Sequence, residues 1–294
     1  MIASLLAAGV ALTTPILLAA VGGLVNRQAG IVNIALEAKM LLGAFVAVIA
    51  AAATGSWALA LLAAVLAGAA LGWAFALVAT RLGANVIIAG LGLNVAVAGA
   101  LGFTLAWAYG SSGTLRLDGV ALLPRPLAGA RDVPVVGPVL AGLDPLTVLA
   151  WAAVAALPFA LAGTRAGLWV RATGNAPEVV RSVGLSPARV QEAATALAGA
   201  FAALGGAHLA LASIGLFNEG LTAGRGFIAL AAFYFGRDRP WPTAGACLLF
   251  GLLDAGQVRM QTAGWPPKLI GTLPYLTVVA VLVAASLARR RAPA

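Results

Sequence analysis

The chain has 294 residues, 62% of them hydrophobic and only 9% charged, and its mean hydropathy is +1.01. Soluble domains carry about 25% charged residues, so this composition cannot cover a water-facing surface and requires a bilayer. The net charge of +9 comes from Lys and Arg scattered between apolar runs and at the C-terminus, the pattern of topology signals rather than of a nucleic-acid surface, and the single cysteine, Cys247, excludes a disulfide framework or a cysteine-based metal centre.

A spanning helix needs roughly 20 apolar residues. In chain order the runs that meet or approach this are Ile2–Val25, Leu36–Thr54, Trp57–Thr80, Asn85–Tyr109, Pro145–Gly163, Arg189–Ala212, Phe227–Phe235, Trp241–Val258 and Leu269–Ala288. The expected fold is an all-α, polytopic transmembrane helical bundle of about eight to ten spans. The whole chain, 1–294, is read as one domain. Phe227–Phe235, between Arg225 and Arg237, is short enough to be a half-membrane or re-entrant helix, or a tightly bounded crossing.

No basic residue precedes the first run, so it reads as a retained span with its N-terminus outside. With nine crossings and the C-terminal Arg289, Arg290 and Arg291 inside, eleven Arg fall inside and six Lys and Arg outside. Arg225 and Arg259 are among the outside six, and Lys39 stays unassigned. This bias favours a cytoplasmic C-terminus in an inner (plasma) membrane. Trp57, Trp107, Tyr109, Trp169, Trp241 and Trp265 lie near segment ends, where an aromatic belt belongs. Gly68 and Gly72, and the stripe Ala198, Ala202 and Gly206, would let helices approach closely, although an Ala- and Gly-rich chain produces such spacings by chance as well.

Two polar loops interrupt the runs: 110–143, expected outside as a cap or docking loop, and 164–190, expected inside. Neither contains catalytic machinery. There is no GxxxxGK[ST] phosphate loop, His208 is the only histidine, and the nine acidic residues are dispersed, so no catalytic, cofactor-binding or metal residue is assigned.

The polar residues that remain form three groups. Asn26, Gly30, Asn33 and Glu37 recur at helical spacing and would share one face, either as a broken-helix segment lining a solute path or as an interfacial start with Glu37 paired to Lys39, Arg27 or another helix. Asn94, mid-run, must bond a neighbouring helix, water or a solute, and His208 reads as a satisfied packing residue. Asp254 either marks the pathway or pairs with Arg259. In the inside loop, Asn175 ahead of Pro177 and Glu178 reads as a helix cap with a capping box, and Gly184 as the stop. The resulting helix of about two turns has the shape to dock in a partner's groove, or is an ordinary connector.

The run RATGNAPEVVRSVGLSPARV resembles the ATPase-coupling segment of permeases in the branched-chain amino acid and simple-sugar (ribose-type) ABC importer family. The stretches GGLVNRQAGIVNIALEAKMLLGAFVAV and FNEGLTAGRGFIALAAFYFGRDRPWPTAGACLLFGLLDAGQVRMQ look like blocks of its nucleoside-type and simple-sugar-type members. The resemblance implies that Gly174, Asn175, Pro177, Glu178, Arg181 and Gly184 form the coupling helix. Asn33 and Glu37 would lie near the translocation path, with Asn26 and Asn94 as further pathway candidates, and Thr222, Gly224, Arg225 and Gly226 match the motif before the short helix.

It also implies a second permease, an ATPase holding ATP and Mg, and an extracytoplasmic binding protein, with no cofactor on this chain. Ala35, Ala38 and Lys39 stand where glycines are expected, and Asn218-Glu219-Gly220 is in an altered order, which loosens substrate identity more than fold. Nucleosides are the first expected solute, then simple sugars or branched-chain amino acids. An ion-coupled secondary transporter or channel, a membrane enzyme and a structural subunit are the rivals. Finally, Gly23-Leu-Val-Asn26 leading to Ile34-Ala-Leu36 echoes Gly215-Leu-Phe-Asn218 leading to Ile228-Ala-Leu230, the signature of an inverted repeat.

Overall fold

A computed structural model describes residues 2–111, 113–133 and 136–262. The expected span Leu269–Ala288 and the arginine tail lie outside them. The elements are α1 (Ile2–Gln28), α2 (Leu36–Thr54), α3 (Trp57–Thr80), α4 (Val86–Tyr109), β1 (Thr114–Arg116), α5 (Gly137–Ala141), α6 (Pro145–Gly163), α7 (Arg165–Asn175), α8 (Pro177–Ser182), α9 (Pro187–Leu211), β2 (Leu216–Asn218), α10 (Arg225–Phe235) and α11 (Pro240–Thr262).

Side-chain caps start most of the long helices. Ser56, Asn85, Asp144 and Ser186 accept backbone N–H bonds from the first turns of α3, α4, α6 and α9. Among the described residues, six helices are long and apolar enough to cross a bilayer: α1, α2, α3, α4, α6 and α9. Helix α11 matches them in length, but carries Asp254 and Arg259. Helix α10 has 11 residues, about 16 Å of rise, which is half of a ~30 Å hydrocarbon core. The short run therefore forms a helix of half the length that a straight crossing needs.

Contacts fix which ends share a face. Arg81, after α3, grips Glu192 near the start of α9 at 2.7 and 3.0 Å, and Gln28 at the end of α1 donates to the Asp238 carbonyl at 3.1 Å. These ends and α8 form one face. At the opposite face Arg259 meets Ser4, Leu123 N–H bonds the Leu211 carbonyl, and β1 pairs antiparallel with β2, Leu115 opposite Phe217. Helix directions on the two sides of the bundle are opposed, although the echoed segments themselves differ, Gly23–Asn26 lying in α1 and Leu216–Asn218 in β2. Helices α1, α2 and α3 run down, up and down relative to the α8 face, whereas α9, α10 and α11 run up, down and up, with α2 and α10 both starting at mid-depth.

The core forms around α9, the most buried of the six spans, while α4 is the least. Small residues make this possible: a Cβ on Gly199 would strike the Gly68 carbonyl, one on Gly72 the Thr195 carbonyl, and one on Gly206 the Met40 carbonyl. Between helices without a hydrophobic drive to associate, such backbone approach supplies the packing energy. Gly68 and Gly72 of the first stripe read in the sequence lie in these contacts, as does Gly206 of the second, whose Ala198 faces Gly22 of α1. Helices α3 and α4 turn large apolar residues outward, Leu62, Leu66, Ile88, Val95 and Phe103 among them, as lipid or a neighbouring subunit requires.

Candidate functional site

Helix α1 stops at Gln28, and residues 29–35 are non-helical before α2 begins. Gly30 adopts φ +87°, a conformation an L side chain resists, and this turn ends the helix. The expected shared face of Asn26, Gly30, Asn33 and Glu37 therefore does not form, because there is no continuous helix to carry it. Each residue has its own partner. Asn26 Oδ1 accepts from Thr195 of α9 at 2.7 Å, and Asn33 Oδ1 accepts from Lys39 Nζ at 2.8 Å. The Nδ2 donors of both asparagines are buried without a partner among the described residues.

Glu37 pairs with neither Lys39 nor Arg27. Its carboxylate crosses to the start of α10, accepting from Gly224 N–H at 2.9 Å and Gly226 N–H at 2.7 Å. Gly226 packs so tightly on the Glu37 backbone that a Cβ would not fit. Thr222, Gly224, Arg225 and Gly226 are thus brought together with Glu37 at one mid-membrane junction. Arg225, placed outside by charge counting, lies in the bundle and pairs with Asp254 at 3.2 Å; Asp254 does not pair with Arg259. The counting erred because α10 begins at mid-depth, so the residue before it is not at the surface.

Asn94 spans both sides of the break: its Oδ1 accepts from Ala38 N–H at 2.9 Å and its Nδ2 donates to the Ile34 carbonyl at 3.1 Å. A broken helix leaves backbone groups unpaired in hydrocarbon, and Asn94 satisfies two of them. Lys39 is fully buried, its ammonium 4.6 Å from the Phe75 ring centroid.

The second cluster lies below this junction. Asn175 is the last residue of α7, and α8 is preceded by Ala176 without a side-chain cap. The expected capping box is therefore absent, because α7 continues through the residue that would have capped. Pro177 does open α8, with Glu178 in its first turn, and Gly184 ends the segment at φ +81°. Glu178, Val179, Arg181 and Val183 are exposed while Val180 is buried. Gly174 abuts the Gln28 carbonyl and Gly30, leaving no room for a Cβ, and Gln191 Nε2 donates to the Ala29 carbonyl at 3.1 Å. The helix-break backbone therefore rests directly on the α7–α8 segment. Neither the Gln191 contact nor the buried Lys39–Asn33 bond was legible, since both depend on where the chain breaks.

His208 is a packing histidine, its Nε2 3.0 Å from Asp144 Oδ2. Because the carboxylate only accepts, the ring nitrogen donates. Burial raises the Asp144 carboxyl, but bonds from His208 and Thr147 outweigh it and hold its pKa below the ordinary value. Among the described residues no group of three or more His, Cys, Asp or Glu is arranged to hold a metal.

Comparison with known families places residues 5–285 under the model described as "Branched-chain amino acid transport system / permease component". The chain is 32% identical over 303 residues to the putative glucose ABC transporter permease protein TsgC13 of Haloferax volcanii, covering 95% of this chain and 91% of that one. It is 30% identical over 254 residues to the guanosine ABC transporter permease protein NupQ of Bacillus subtilis, covering 82% and 77%. To the nucleoside ABC transporter permease protein NupC of Lactococcus lactis it is 31% identical over 290 residues, covering 92% and 88%. No solved structure matches the chain.

Proposed function

The chain belongs to the permease family of the branched-chain amino acid transport systems, and from that membership we propose that it forms the solute path of an ATP-driven importer, with nucleosides as the first solute class and simple sugars as the second. In this reading ATP and Mg are held by a separate ATPase subunit, a second permease completes the path, and an extracytoplasmic protein delivers the solute. The α8 face is cytoplasmic, which puts the N-terminus outside. Similarity alone supports the choice of solute, since relatives named for glucose and for nucleosides match about equally well.

One observation carries the mechanical part. The exposed α8 is joined through Gly174 to Gly30, and so to the break that ends at Glu37. Movement of an ATPase bound at Glu178 and Arg181 would displace α7, shift residues 29–35, and alter how α2 and α10 meet at mid-membrane. The unused Nδ2 donors of Asn26 and Asn33 lie on or beside this segment, where an opened state would present them to hydroxyl-rich solutes.

The test is uptake by the reconstituted permease pair, ATPase and binding protein, with labelled guanosine and glucose in competition. Uptake should require ATP hydrolysis, and Glu178→Arg with Arg181→Glu should abolish it while the complex of membrane subunits still assembles. Uptake driven by an ion gradient without the ATPase would favour a secondary transporter and overturn the reading. Glucose outcompeting guanosine would change only the solute.

A further inference from the structure

A groove of about 690 Å³ opens between α7, the start of α9 and Val25 of α1. Its mouth carries Ser186, the cap of α9, and Arg189; its walls include Trp169 and Ala193, and it ends at Leu197. Ser186 and Leu197 are eleven positions apart on α9, about 16 Å of helix rise, close to one leaflet of a ~30 Å hydrocarbon core. Helix α7 lies along the groove with Arg165 and Arg171 in its sequence and Leu168 and Trp169 exposed, the composition of a helix lying in a membrane interface.

We propose that this groove holds one anionic phospholipid of the leaflet at the α8 face, with an acyl chain along Ala193 and Leu197 and its phosphate at Arg189 and Ser186. Charge complementarity selects the headgroup. Arg189 is exposed and makes no side-chain hydrogen bond among the described residues, and Glu192, whose charge it feels, is already held in two bonds by Arg81. Depth selects lipid over the water-soluble ATPase, because a subunit bound at α8 cannot follow the groove to Leu197 within the hydrocarbon. The bound lipid would pack beside the α7 segment whose far end, Gly174, supports the helix break.

Native mass spectrometry of the full chain, titrated with phosphatidylglycerol or phosphatidylcholine, tests this without reference to transport. The wild type should retain one phosphatidylglycerol with about fivefold preference over phosphatidylcholine, the increment of one interfacial arginine. Arg189→Ala, at an exposed position, should abolish the preference, and Ala193→Trp, which fills the groove, should abolish retention of both lipids at an unchanged thermal midpoint. Equal retention of both lipids by the wild type overturns the proposal, as does full retention by folded Ala193→Trp or loss of the lipid when the ATPase subunit docks. Should Ala193→Trp fail to fold, the Arg189→Ala comparison still decides.

Discussion

Glu37 stands where the positive ends of two helices meet inside the bundle. It lies in the first turn of α2, and its carboxylate takes two N–H donors from the start of α10. Each helix terminus favours an anion, and a carboxylate bonded to both keeps two dipoles that would otherwise repel in contact. Glu37→Gln keeps the size but opposes an amide N–H to one of the two donors. Hydrogen bonds to charged groups contribute about 1.5–3 kcal/mol, so the variant should unfold at a lower temperature in detergent, by tryptophan fluorescence, and lose most uptake. An unchanged midpoint would remove Glu37 from the junction's support. At this scale the sequence was half legible: Glu37 and Asn94 are conspicuous as polar groups in apolar runs, but their partners depend on a break set by Gly30, one glycine among 36.

Among the elements, α9 depends most on small residues. Gly199 lies against the Gly68 carbonyl and Gly72 backbone, so a branched side chain there must push two helices apart. Overpacking costs about 1–3 kcal/mol in a well-packed core, and backbone on the opposing side leaves little room to relax. Gly199→Val should therefore lower the thermal midpoint clearly, whereas Gly92→Val on α4, with nothing within 4 Å of its Cβ, should leave it in place. Equal effects would mean that helix propensity rather than close approach governs both sites. Spacing alone could not separate packing stripes from chance in an Ala- and Gly-rich chain. What distinguishes Gly68 and Gly72 from Gly92 is the neighbour each faces, which is tertiary information. The half-length of α10, by contrast, was visible directly from the distance between its flanking arginines.

For the molecule as a whole, two groups of three helices run in opposite senses and meet where α2 and α10 begin, so the mid-membrane junction lies between the two groups. Transporters built this way place solute there, because the breaks supply unpaired backbone and helix ends at depth while the full-length helices form the frame. The short sequence echo did not carry this relation, since Gly23–Asn26 lies in α1 while Leu216–Asn218 forms β2, and side chains alone cannot show that α2 and α10 start halfway down. The same geometry makes sidedness testable. Cys247 is the only cysteine and is buried, so an unmodified chain offers little background to an impermeant thiol reagent. Leu122 is exposed in the loop at the face holding β1 and β2, and Val183 is exposed beside α8 at the other. In intact cells Leu122→Cys should label with a membrane-impermeant maleimide, whereas Val183→Cys should label only after permeabilisation. The reverse pattern would put α8 outside, beyond the reach of a cytoplasmic ATPase, and remove the basis for coupling through it.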